Sequence, residues 1–208
     1  MRSAMIVDDH PFIRSALKVL LEQSNHRVVA QADNGVDAIQ LALEHRPQLI
    51  ILDISIPKLD GLMVLHRLNE LRVVSKVLVL SCHPAEFYSM RCMKAGAVGF
   101  LSKIQDPDEL LKAINVVSSG YTFFPQITQG SVCSKEAESS ELTLLKSLSN
   151  REMSIFIQLA AGFDNMKIAN HLMLSNKTVS TYKARIVEKL GITSLVHLAD
   201  MAKRNQLI

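Results

Sequence analysis

The stretch AMIVDDHP, Ala4 to Pro11, decides how the first half of this chain folds. A short apolar run ends in two adjacent carboxylates, Asp8 and Asp9. After His10 and Pro11 the pattern turns helical, with Phe12/Ile13, Ala16/Leu17 and Leu20/Leu21 on one stripe. An apolar run bounded by polar residues reads as a buried strand, and proline suits the first turn of a helix. Like charges side by side at the end of a buried strand repel. Either DDHP caps the following helix, or the acids serve another group.

Similar runs occur at Val28–Ala32, Leu49–Leu52, Val77–Leu80 and Gly99–Leu101. Helical stripes lie between and after them, at Val64/Leu65, Leu68 and Leu71 and at Leu110/Leu111, Ile114 and Val117. Strand–helix units of about 24 residues predict right-handed crossovers with tight loops. The expected fold is a five-stranded, doubly wound parallel sheet, flavodoxin-like, with helices on both faces.

In such a sheet the reactive crevice lies at the carboxyl ends of the strands. Asp8 and Asp9 end the first strand and Asp53 the third, in LIILDISIP. Ser81 ends the fourth, and Lys103 follows the fifth in GFLSK. Carboxylates within about 4–5 Å repel by several kcal/mol per pair at an effective dielectric near 20. A bound proton or a divalent cation relieves that repulsion, and Mg²⁺ suits a few carboxylates plus waters. Asp53 beside such an ion is placed to attack a phosphoryl group and form an acyl phosphate. Lys103 can neutralise phosphoryl oxygens, and the Ser81 hydroxyl can hydrogen-bond one of them.

The alternation stops after GYTFFP, Gly120 to Pro125. The polar stretch Gln126–Glu141 reads as a linker with a fraying helix at its end, within a boundary region of residues 123–145. Beyond it Ser149, with Glu152 three residues on, forms a capping box, and Gly162 fits the end of that helix. Asp164, Ser175 and Ser194 cap three further helices, giving a small all-α domain over 146–208. The helix behind Ser175 carries Val179, Tyr182, Ile186 and Leu190 on one face. Lys177, Ser180, Thr181 and Ala184 lie on another that is polar, small and free of acids, beside Thr178. That face suits a major groove, with Lys183, Arg185 and Lys189 in reach of phosphates. From Lys146 onward nine basic and four acidic residues leave a net of +5, whereas the first 145 residues carry −2. An anionic partner for the second domain follows.

Residues 1–122 resemble a two-component receiver domain, on VDDHP, LDISIPKLDG, VLVLS and KAGAVGFLSK in order and spacing. The resemblance implies that Asp53 is the phospho-acceptor. It implies that Asp9, Asp53 and the Ser55 backbone carbonyl bind Mg²⁺, with Asp8 acting through water. Ser81 is then the switch hydroxyl, Phe100 a switch aromatic that turns inward, and Lys103 the phosphate-sensing lysine. Pro57 and Gly61 shape the loop after Asp53. Leu148 to Asn205 resembles the LuxR-type helix-turn-helix domain of the NarL/FixJ class. GYTFFP and LSNKTVSTYK liken the chain to Bvg/Evg-type regulators. Phosphate would then arrive from a sensor histidine kinase or its phosphotransfer domain, and phosphorylation would favour a homodimer on promoter DNA, with RNA polymerase a further partner. Relatives often carry a basic residue where Ser180 or Ala184 stands, so the base-reading residues rest on geometry.

No apolar run approaches the roughly 20 residues of a membrane span, and acids follow the first apolar run too closely for a signal peptide. A cytoplasmic protein that touches no membrane is expected, with Cys82, Cys92 and Cys133 as free thiols and Cys82 buried. His10 is expected to order the first loop and His83 to influence loss of the phosphoryl group. The chain is not expected to be an enzyme. A phosphohydrolase passing through an aspartyl phosphate is one rival, disfavoured because Ser55 stands where a second general acid/base Asp is common. An interaction module that never accepts phosphate is the other.

Overall fold

The computed structural model of the chain describes residues 1–103, 106–125, 136–192 and 194–208. They fall into two units, Met1–Gln126 and Ile127–Ile208. In the first, strands β1 (Arg2–Val7), β2 (His26–Ala32), β3 (Leu49–Leu52), β4 (Lys76–Ser81) and β5 (Gly99–Ser102) alternate with helices. These are α1 (Pro11–Gln23), α2 (Gly35–His45), α3 (Gly61–Glu70), α4 (Ala85–Lys94) and α5 (Pro107–Ser118). Every strand pair is parallel and the order is β2-β1-β3-β4-β5, the doubly wound sheet expected. Backbone pairing carries the strands outward into polar positions such as Arg2, His26 and Lys76, where the apolar runs give no signal.

Alternation of side chains explains the unbroken hydrophobicity of the runs. Ala4, Ile6, Leu49, Ile51, Leu78 and Leu80 pack with Leu17, Leu21, Ile114 and Val117 of α1 and α5. Met5, Ile50, Leu52 and Val79 are equally buried and project to the other face by the period of two. A sheet covered on both faces needs apolar residues at every strand position.

Register sets up the carboxyl edge. Val7 pairs with Leu52, and Leu52 with Val79. Ser81 pairs with Ser102, and Lys103 N donates to Ser81 O at 2.9 Å. Asp8, Asp53, Ser81 and Lys103 therefore stand along one edge, where the chain order reverses between β1 and β3. Phe123 bridges Gly99, donating to Val98 O and accepting from Phe100 N at 3.0 and 2.8 Å. The first unit thus continues past residue 122. Residues 126–135 of the expected linker lie outside the described residues, and its later part belongs to α6 (Glu136–Ser147).

The second unit continues with α7 (Asn150–Ala160), α8 (Asn165–Leu172), α9 (Asn176–Leu190) and α10 (Leu195–Arg204). Ser149 and Glu152 form the capping box of α7. Asp164, Ser175 and Ser194 accept from the backbone N–H of Lys167, Thr178 and His197. Gly162, at φ +83°, takes the left-handed turn after α7 that a side chain would resist. The turn from α8 to α9 is Met173, Leu174 and Ser175, a short helix-turn-helix connection. Ile168, Leu172, Val179, Ile186 and Leu190 are buried across this pair. Among the described residues no helix is long and apolar enough to cross a membrane.

Candidate functional site

Asp8 and Asp53 are 1 % and 3 % exposed, and one ammonium serves both. Lys103 Nζ lies 2.6 Å from Asp8 Oδ2 and 2.7 Å from Asp53 Oδ2. Ser55 N donates to the other Asp53 oxygen at 3.1 Å. Asp8 Oδ1 accepts from His10 N at 2.9 Å, and Arg14 donates to Asp8 O at 2.7 Å. The helix-cap reading of DDHP fails in part: α1 does start at Pro11, but no side chain caps it.

Formally, Asp8, Asp9, Asp53 and Lys103 sum to −2 in a largely buried space. Burial pushes the Asp53 carboxyl above its ordinary value, with Lys103 pulling it back down. Burial alone would lower the Lys103 ammonium, but Asp53 and Asp8 outweigh it and hold it above its ordinary value. Among the described residues Asp9 Oδ1 is buried with no hydrogen bond; His10 Nδ1 approaches it to 2.7 Å but not in hydrogen-bond geometry. Ligand atoms of Asp8, Asp9 and His10 all lie within 4.8 Å of one another. Carboxylate oxygens with an orphaned acceptor and surplus negative charge fit a hard divalent cation such as Mg²⁺. Asp53 stands outside that cluster, with Oδ2 drawn toward Lys103.

Ser81 is fully buried, and its Oγ accepts from His83 N at 3.1 Å. Its own hydroxyl hydrogen therefore remains to donate. His83 Nε2 meets Ser55 Oγ at 2.9 Å, and its ring stacks on Tyr88 with centroids 4.7 Å apart. Burial lowers the His83 imidazole to about 4, aided by Lys103, so it is neutral at physiological pH. Phe100, expected to turn inward, is fully buried in β5. Cys82, expected inside, is exposed; Cys92 takes the buried place, its thiol pushed up to about 12 by burial. Pro57 O accepts from Gly35 N and Leu59 N, and Gly61 N donates to Ile54 O. A Cβ on Gly61 would stand 2.5 Å from Asp53 O, which explains glycine there.

The exposed face of α9 carries Lys177, Ser180, Thr181, Ala184 and Arg185. Thr181 Oγ1 donates to Lys177 O at 3.0 Å, and Ser180 Oγ accepts from Asn165 Nδ2 at 3.1 Å. Thr178 is half-buried, its Oγ1 2.7 Å from Ser175 Oγ. Arg185 lies over the Tyr182 ring, 5.9 Å from its centroid. Lys183 is half-buried and lines a cavity with Asp164 and Lys203. Lys189, expected to reach phosphates, is instead bound to Glu152 at 2.7 Å. Glu152 is 4 % exposed, and besides Lys189 its carboxylate accepts from Ser149 N at 2.7 Å. The spacing of α9 alone does not show this, because the partner lies in another helix.

Residues 4–115 match the response regulator receiver domain, and residues 146–202 match the bacterial regulatory proteins of the luxR family. The chain is 45 % identical over 203 residues to the virulence factors putative positive transcription regulator BvgA of Bordetella pertussis, covering 98 % of this chain and 97 % of the relative. It is 47 % identical over 209 residues to a putative transcriptional regulator of Pseudomonas aeruginosa, covering both chains completely. The fold is that of the RcsB response regulator of Salmonella typhimurium, with a TM-score of 0.77 at 23 % identity over 98 % of each chain. The chain therefore belongs to the response regulators that join a receiver domain to a DNA-binding domain of the luxR family.

Proposed function

We propose that this protein is a transcription regulator switched on by phosphorylation of Asp53. What carries the reading is one ammonium held between two buried carboxylates at the carboxyl ends of β1 and β3, in a chain that ends in a luxR-family domain. An Asp53 oxygen attacks the phosphorus of a phosphohistidine on a sensor kinase or its phosphotransfer domain, and the histidine leaves. Asp8, Asp9, Asp53 and the Ser55 backbone carbonyl would hold a Mg²⁺ ion, which supplies charge neutralisation at the phosphoryl oxygens. Lys103, freed from Asp53 as that carboxylate becomes an ester-like acyl phosphate, pairs with the new anion. Ser81 donates its hydroxyl to another oxygen.

Phosphorylation shifts the population toward the arrangement in which Lys103 and Ser81 contact the phosphoryl group. The conformational consequence is a homodimer whose second units bind paired half-sites in promoter DNA, within reach of RNA polymerase. Half-sites of a two-fold dimer lie about 34 Å apart or a multiple of that. Lys177 and Arg185 hold the DNA backbone, and Thr181 and Ala184 allow α9 to approach base edges. Lys189 is left out of that set. The protein works in the cytoplasm and transfers a phosphoryl group only to itself, without enzymatic turnover.

Intact mass after incubation with acetyl phosphate and Mg²⁺ tests the acceptor. One added phosphoryl group on wild type and none on Asp53→Asn is expected; an unmodified wild type refutes the reading. Genome-wide occupancy of wild type against Asp53→Asn tests the coupling, and equal occupancy removes phosphorylation from it. Absence of turnover on small phosphomonoesters separates the protein from a phosphohydrolase.

A further inference from the structure

A cavity of about 320 Å³ opens at the amino ends of the strands, away from Asp53. Arg2, His26 and Lys76, the first residues of β1, β2 and β4, line it with Gln48, Val98 and Ser118. No Asp or Glu lines it, and among the described residues Arg2 and Lys76 make no ion pair. Lys76 Nζ gives one hydrogen bond, to Ser118 O at 3.1 Å, and keeps its other N–H groups. Gln48 Oε1 accepts from Ser3 N at 3.3 Å, which leaves the amide NH2 as a donor.

His26 is 1 % exposed and fixed in one tautomer. Its Nδ1 lies 2.8 Å from Ser24 O, which can only accept, so Nδ1 carries the hydrogen. Nε2 then accepts from Ser118 Oγ at 3.0 Å. Gln48 Oε1, Ser118 O and His26 Nε2 thus each already accept a hydrogen bond, while donors and positive charge remain at Arg2, Lys76 and the Gln48 amide. A concave, acid-free surface of this kind is complementary to an oxyanion.

We propose that this cavity binds a small oxyanion, an organic phosphate or carboxylate, held by Arg2, Lys76 and Gln48. The site touches the way out of the first unit. Ser118 ends α5, and Val98 O accepts from Phe123 N in the segment that leaves the sheet. A bound anion braces both.

Amide ¹H–¹⁵N spectra of the full chain, titrated without Mg²⁺ and at matched ionic strength, test this. Inorganic pyrophosphate and citrate are the two probes, and the stronger one assigns phosphate or carboxylate chemistry. Saturating shifts at Gln48, Val98 and Ser118 are expected. Lys76→Gln should weaken binding about tenfold, the loss of one charge-assisted contact. Lys76→Arg should keep the binding, and Lys18→Gln, on α1, should leave it unchanged. No saturating shift at these amides, shifts confined to α9, or equal binding by Lys76→Gln overturns the proposal.

Discussion

Lys103 answers the crowding of acids that DDHP and Asp53 announce. A proton or a metal ion would relieve that crowding; the fold adds an ammonium shared by Asp8 and Asp53. The five groups were readable because each stands at the end of an apolar run. Their pairing was not, since Lys103 lies 50 residues from Asp53 and only strand register brings them together. Because burial raises the Asp53 carboxyl, its ionised form opposes folding at neutral pH, a penalty that disappears as pH falls. Asp53→Asn should therefore melt no lower than wild type without Mg²⁺, and show a smaller rise in Tm when Mg²⁺ is added. His26 gives the opposite sign. Burial lowers its folded value below 6.5, so its contribution is complete above pH 6.5 and shrinks as pH falls below it. Melts of the wild type from pH 7.5 to 5.5, roughly the range in which histidine changes charge, should fall more steeply than those of His26→Gln.

At the scale of elements, helix starts were the most legible feature, because a cap is a local event between a side chain and the next turn. Ser149, Asp164, Ser175 and Ser194 each cap the helix their position predicts. Helix faces were less legible. The polar face of α9 was visible as spacing, but the use of Lys189 depends on α7. Lys189→Met should destabilise the second unit by about 1–2 kcal/mol, because it strips a partner from a buried carboxylate. Burial resists the Glu152 anion, but Lys189 and Ser149 overcome it and hold its carboxyl below the ordinary value. The stabilisation is thus present above that ordinary value and is lost as pH falls through the lowered one. Lys177→Ala and Arg185→Ala should leave the melting temperature unchanged and weaken DNA binding. Thermal melts beside gel shifts separate these outcomes.

Across the whole molecule, the change from alternating strands and helices to helices alone marks two units. The charge contrast of −2 against +5 runs with it. Apparent DNA affinity should fall by about 0.9 log units per log unit of salt for each phosphate neutralised. Removing Lys177 or Arg185 should each lower that slope by about one, and gel shifts over a salt series measure it. Positions of tertiary purpose escaped the sequence, among them the Phe123 bridge, because a single residue joining a sheet has no periodicity. The Ser149–Glu152–Lys189 node has a practical consequence for anyone dissecting the protein. The carboxylate that closes the amino end of α7 also anchors the last turn of α9. A fragment starting at Asn150 would lose the serine cap and loosen the far end of α9, so an isolated DNA-binding piece must begin upstream of Ser149 to report the affinity of the intact chain.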